Sequence, residues 1–181
     1  MKTFLTITIF TLALALSPAV AVAQTPRADS GAVGVDFGVF LPKDDRHEKS
    51  LALDGFYEYY PSARTSIRLG AGWTHPKFSF DDEDGVRYFR IGGDVVYNWE
   101  GGSVHPFVGA GLGVYFLQET DNGENFGDSE TKLGGTLFGG AEFFTSNTVS
   151  VKAEAKYHLI SNPAGYNPDG LSLTIGLKKY F

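Results

Sequence analysis

The chain has 181 residues, no Cys, 23 Gly, 14% aromatic residues and a formal net charge of -6. The absence of Cys excludes disulfide frameworks, thiolate metal sites, Cys nucleophiles and a lipidated N-terminal Cys. The acidic balance gives a nucleic-acid partner no electrostatic support. Abundant Gly with many aromatics favours strands and tight turns over helices, and beyond residue 23 no apolar run nears the ~18 residues of a spanning helix.

The N-terminus reads as a processing segment. Lys2 supplies the positive start, Phe4 to Leu16 an apolar core, Pro18 a break, and Ala21-Val22-Ala23 the small residues before a cleavage site. This predicts a cleavable signal peptide over 1–23, a short lead-in over 24–31 and one all-β domain over 32–181. Cleavage removes Lys2 and takes the net charge to -7.

Alternation of apolar with small or polar residues marks eight strands, at 32–41, 51–60, 65–74, 86–99, 104–117, 132–144, 149–160 and 171–181. The seventh is the clearest. Val149, Val151, Ala153, Ala155, Tyr157 and Leu159 alternate with Ser150, Lys152, Glu154, Lys156 and His158, a pattern that a helix would scatter around its whole circumference. The last strand sets Leu171, Leu173, Ile175, Leu177 and Phe181 against Ser172, Thr174, Gly176, Lys178 and Tyr180.

The links between strands run 9, 4, 11, 4, 14, 4 and 10 residues. In an up-and-down meander every short turn then falls at one end and every long loop at the other, which is the asymmetry of an outer-membrane barrel. Strands of about ten residues match the ~9–11 that cross hydrocarbon at a tilt. The strands running towards the short-turn end finish in aromatics, Tyr59-Tyr60, Tyr97 with Trp99, Phe143-Phe144 and Tyr180-Phe181, which predicts a girdle at one membrane interface.

On these features the chain resembles the small eight-stranded bacterial outer-membrane β-barrels, the group that includes the OmpX and OmpA barrel domains. The resemblance implies an eight-stranded antiparallel up-and-down transmembrane β-barrel in the bacterial outer membrane, in contact with its lipids and lipopolysaccharide. It also implies that the final aromatic, Phe181, is read by the outer-membrane assembly machinery, with Lys179 departing from the usual apolar residue there. A monomer is expected.

With the apolar face outward, Asp36, Asp54, Glu58, Asp94, Glu142 and Glu154 fall inside with Arg68, Arg90, Lys152, Lys156 and Lys178. Eight strands leave an interior that side chains can fill, so a paired, closed lumen is expected, plugged near mid-barrel by Arg68, Arg90, Asp94 and Glu142. Inward glycines such as Gly34, Gly72, Gly109 and Gly111 are expected to make room for the bulky charges.

Catalytic spacing is scarce. His158-Leu-Ile-Ser161-Asn162 resembles the His-x-Ser-Asn stretch of outer-membrane lipid A 3-O-deacylases, with one residue too many between His and Ser. That offset turns Ser161 to the opposite strand face, and the one acid after it is Asp169. No catalytic, cofactor-binding or metal residue is therefore assigned and no cofactor is expected. The deacylase remains an alternative, as do a soluble lipocalin-type barrel, with the apolar face turned inward around a ligand, and a small porin.

The four long loops carry a net charge of -9. Their runs Asp81-Asp82-Glu83-Asp84-Gly85 and Asp121-Asn122-Gly123-Glu124-Asn125 lack the full spacing of a calcium loop and read as solvated acidic surface. The function expected is structural or surface-interacting rather than enzymatic.

Overall fold

The structure, a computed structural model, describes residues 26–79, 81–99, 102, 104–122, 124–161 and 167–181. The expected signal segment lies outside the described residues, as do Asn162, Gly123 and the side chains of residues 81–83.

Among the described residues ten strands form one sheet: β1 (Ser30–Pro42), β2 (Ser50–Tyr60), β3 (Thr65–Thr74), β4 (Lys77–Phe78), β5 (Asp81–Asn98), β6 (Val104–Asp121), β7 (Glu124–Asn125), β8 (Glu130–Ser146), β9 (Val149–Ile160) and β10 (Gly170–Tyr180). The eight long strands pair antiparallel in chain order, and β1 closes on β10 from Ala32 opposite Tyr180 to Pro42 opposite Gly170. Closure leaves no open edge in the eight-stranded wall, which is what lets strands sit in a solvent that offers the backbone no hydrogen bonds. Beyond the last strand Phe181 and Gly31 exchange both backbone hydrogen bonds, at 2.9 and 3.0 Å.

The two faces of the wall are inverted relative to a soluble protein. Val35, Phe37, Leu69, Ile91, Leu112, Ile175 and Leu177 stand exposed on the outside, while Arg68, Arg90, Lys152, Glu154 and Lys178 are buried within. A lipocalin-type barrel needs the reverse, so that alternative falls. The outer face is the surface hydrocarbon requires.

The wall is taller than the alternation predicts. β5, β6 and β8 run 18, 18 and 17 residues, against 10 to 13 for the other long strands. Much of what reads as loop at 75–85 and 118–131 is paired strand, with Gly85 opposite Thr120 and β7 folding back on Thr120 and Asp121. Alternation fades where the strand leaves lipid, because the outer face there turns polar, as at Arg87, but backbone pairing continues and Val86, Leu117 and Thr120 stay buried. Asn122, at φ 52°, makes the tight turn into β7, a conformation Asn tolerates better than most residues.

Candidate functional site

Strand periodicity delivers every predicted lumen charge to the interior. β9 contributes most, since its alternate residues Lys152, Glu154, Lys156 and His158 all point inward. Glu154 is the hub, with Arg68 at 2.7 Å, Lys152 at 2.7 Å and Lys156 at 3.1 Å. Arg68 reaches on to Glu58 at 3.2 Å, and Lys178 joins Glu58 at 3.1 Å to Glu142 at 3.2 Å. Lys152 also meets Asp36 at 2.8 Å, and Lys156 lies 3.8 Å from Asp54. These nine residues form one connected chain of ion pairs, and Arg90 with Asp94 at 2.7 Å makes a separate pair. Hydroxyls complete several carboxylates: Ser66 donates to Glu58, Ser150 and Tyr180 to Glu142, and Thr136 to Asp94.

Aromatic rings fill the space between the charges. Arg68 lies 4.5 Å from the centre of the Phe56 ring and 5.1 Å from that of Phe138, and Lys152 sits 4.6 Å from that of Phe56. Such stacking suits cations that have left water. The inward glycines serve rings as well as charges: a Cβ at Gly72 or Gly111 would strike Asp54 or Asp94, while one at Gly34 or Gly109 would strike Phe56 or Phe138.

The expected aromatic girdle is only half a girdle. Tyr59, Tyr97, Trp99, Phe143 and Phe181 face outward, but Tyr60, Phe144 and Tyr180 turn in and close the short-turn end. Adjacent residues on a strand must face opposite ways, so each aromatic doublet splits between lipid and lumen. Phe144 stacks on Tyr180 at 5.4 Å, Lys178 donates to the Tyr60 hydroxyl, and Tyr180 donates to Glu142. Glu142 thus belongs to this end rather than to a mid-barrel plug, and the mid-barrel role falls to Glu154.

At the loop end Phe40, Ala52, Val86, Tyr88, Tyr115, Leu117 and Ile160 form an apolar cap, with Phe78 packed on it. The first loop clasps this cap from above. The His47 ring lies 4.7 Å from that of Phe78, Glu48 N–H donates to Lys77 C=O at 2.7 Å, and Ser79 N–H donates to Arg46 C=O at 2.8 Å. Burial lowers the pKa of His47, and hydrogen bonding to Arg46 holds the Asp44 carboxyl well below the usual carboxylate range. Lys43 ties the first loop to Asp169 of the last, 3.5 Å between charges.

His158 and Ser161 are not brought together as a catalytic pair. His158 is buried, with Nδ1 3.0 Å from the Tyr115 hydroxyl and Nε2 2.9 Å from the Ser172 hydroxyl. Ser161 is exposed and its N–H donates to Leu133 C=O. Asp169 accepts from Ile160 N–H at 2.9 Å and pairs with Lys43, so its carboxylate is engaged elsewhere. The Ser172 contact was legible in principle, because Ser172 and His158 both lie on the polar faces of neighbouring strands.

A closed eight-stranded barrel with an apolar outside and a charged inside is an integral outer-membrane barrel. The chain belongs to the outer membrane protein beta-barrel domain family, whose model matches residues 9–181. It is a protein of the bacterial outer membrane. Its fold is similar to that of Neisserial surface protein A, NspA (TM-score 0.71, 16% identity, 83% of this chain and 97% of that one). It is also similar to Ail, the attachment invasion locus protein of Yersinia pestis (TM-score 0.60, 13% identity, 85% and 99%). A third likeness is to the outer membrane enzyme PagL (TM-score 0.51, 18% identity, 82% and 98%). At these identities the likeness is one of fold. Comparison with curated proteins finds no match.

Proposed function

We propose that this barrel is a closed scaffold whose role lies in its outer surface and loops, not in transport or catalysis. The observation that carries this reading is the lumen: nine charged side chains in one ion-paired chain, with aromatic closures at both ends. Paired charges held by rings leave mobile water little room, whereas porins keep an aqueous channel with sixteen or more strands. Pure protein in a planar bilayer is expected to show no steady conductance. Replacing Arg68 and Arg90 together with Ala should strand their carboxylates and admit intermittent currents. Stable channels from the unaltered protein would move it to the small-porin class.

The surface offered to partners is acidic. The loop cations Lys43 and Arg46 are engaged by Asp169 and Asp44, and the net charge of -9 on the four long loops leaves a surplus of carboxylates for a cationic partner. The barrel acts as a monomer among outer-membrane lipids and lipopolysaccharide, and Phe181 serves its delivery to the assembly machinery. Signal cleavage falls after Ala23, which N-terminal sequencing of the protein from outer membranes would test. Lipid A from cells overproducing the protein should be unchanged by mass spectrometry; a lost 3-O-acyl chain that depends on His158 and Ser161 would restore the deacylase reading.

A further inference from the structure

Among the described residues the lumen holds six acids and five bases, one negative charge in excess. Five of the six have a cation within 3.2 Å. Glu154 meets three cations within 3.1 Å, Glu58 two within 3.2 Å, and Glu142 has Lys178 at 3.2 Å with two hydroxyls. Asp94 has Arg90 at 2.7 Å and Thr136 at 2.8 Å, and Asp36 has Lys152 at 2.8 Å. Asp54 has Lys156 at 3.8 Å, and Lys156 lies closer to Glu154, at 3.1 Å. Its side chain is 12% exposed, where those of the other five are 3% or less.

Two further facts single it out. Asp54 stands directly opposite Asp36 in the β1–β2 register, and like charges directly opposite destabilise each other. Its exposure is to a cavity of about 30 Å³ under the loop-end cap, room for a water-sized guest. The groups facing it are Asp36 on β1, Arg90 on β5, Tyr115 on β6, and Lys156, Glu154 and His158 on β9, while β3 presents Gly72 and β10 Ser172. Lys156 is shared between Asp54 and the nearer Glu154, which leaves one buried negative charge in excess, and an excess charge away from water is strongly disfavoured unless it acquires a partner.

We infer that Asp54 holds a monovalent cation of its own in this cavity, either a proton or a partly dehydrated alkali ion. The inference rests on the closed-lumen reading in that it needs water-poor surroundings. Its test does not read conductance, so steady channels would sink the scaffold reading while leaving this one to be judged on its own.

The experiment compares wild type, Asp54→Asn, Asp36→Asn and Glu154→Gln refolded in detergent micelles. Thermal unfolding is followed from mildly acidic to mildly alkaline pH, in sodium chloride and in choline chloride of equal ionic strength. Asp54→Asn should melt about 2–4 °C above wild type, with a gap that widens as pH rises, because the amide keeps the neutral state that the acid gives up. Glu154→Gln should melt below wild type. If the guest is a proton, the wild-type infrared spectrum shows a protonated-carboxyl band that Asp54→Asn lacks. If it is an alkali ion, that band is absent and the wild-type Tm rises when sodium replaces choline, a response lost in Asp54→Asn. The inference is overturned if neither signal appears in wild type, if the band vanishes in Asp36→Asn instead, or if Asp54→Asn melts at or below wild type at every pH. Absence of both the band and the sodium response in wild type overturns the inference without any variant, so a variant that fails to refold does not shelter it.

Discussion

The two ends of the barrel are closed by different means. At the short-turn end the closure belongs to the wall: Tyr60 and Tyr180 are strand residues, fixed by Lys178 and Glu142 and thereby joined to the ion-pair chain. At the loop end the cap is apolar and its upper half, Phe78 with His47, hangs on a two-residue strand and a loop. The first closure cannot open without breaking the lumen network. The second can loosen while the wall stays intact, because elements with few buried contacts open locally at low cost.

Removing the hub tests whether the network is what links the wall to its lower closure. Glu154→Gln leaves Arg68, Lys152 and Lys156 crowded without their common anion. Breaking a buried ion pair by deleting one partner typically costs about 3–5 kcal/mol. Urea unfolding of the refolded barrel should show a loss of that size. A loss below about 1 kcal/mol would mean that water reaches the lumen and screens the cations.

The ends themselves should respond unequally. Tyr180→Phe removes a hydroxyl donor to a buried carboxylate, worth about 1.5–3 kcal/mol, and should lower global stability. Phe78→Ala sits at the rim and should cost under about 1 kcal/mol globally. It should instead speed hydrogen exchange at Glu48 and Ser79, whose N–H groups bridge the loop and the β4 hairpin. Equal global losses from the two substitutions would erase the distinction between a fixed and a loosening closure.

Acid should loosen the loop end. His47 is held below its ordinary pKa by burial, and so is His75. A histidine with a lowered folded pKa binds fewer protons folded than unfolded as pH falls below about 6.5, so its stabilisation is present above that pH and lost beneath it. Exchange at Glu48 and Ser79, corrected for intrinsic rate, should therefore quicken relative to mid-strand amides as pH falls. His47→Phe should flatten the response; an unchanged response would assign it to another group.

All eleven lumen charges were legible from alternation, because a period of two fixes the face of each strand residue once the apolar face is known to be outside. What alternation does not carry is the partner. Glu154 meets Arg68 across the barrel, a contact set by strand tilt and stagger, and nothing local to either residue encodes these. The aromatic doublets misled in the other direction: Tyr59-Tyr60 and Phe143-Phe144 read as interface residues by type, yet their adjacency required one of each pair to enter the lumen. The upper wall escaped notice because its residues are polar on both faces, as at Glu119 and Thr120, so there is no apolar–polar alternation to show even though Thr120 is buried.

The smallest expected effect on stability is at Phe181, and its smallness is the point. The side chain is 68% exposed on the lipid side and its ring centre lies 6.3 Å from that of Tyr57, while the backbone bonds to Gly31 hold the residue in place. Phe181→Ser keeps those backbone bonds and removes only a ring at the interface. Unfolding of the refolded protein should shift by under about 1 kcal/mol, in line with substitutions away from buried features. If Phe181 serves delivery to the assembly machinery, the membrane-inserted fraction in cells should fall several-fold under the same substitution. Tyr180→Phe, one residue earlier and inside the lumen, should give the opposite pattern, a clear stability loss with near-normal insertion. Parallel losses in both assays for both variants would make Phe181 an ordinary packing residue and remove any separate role for the outward half of the doublet.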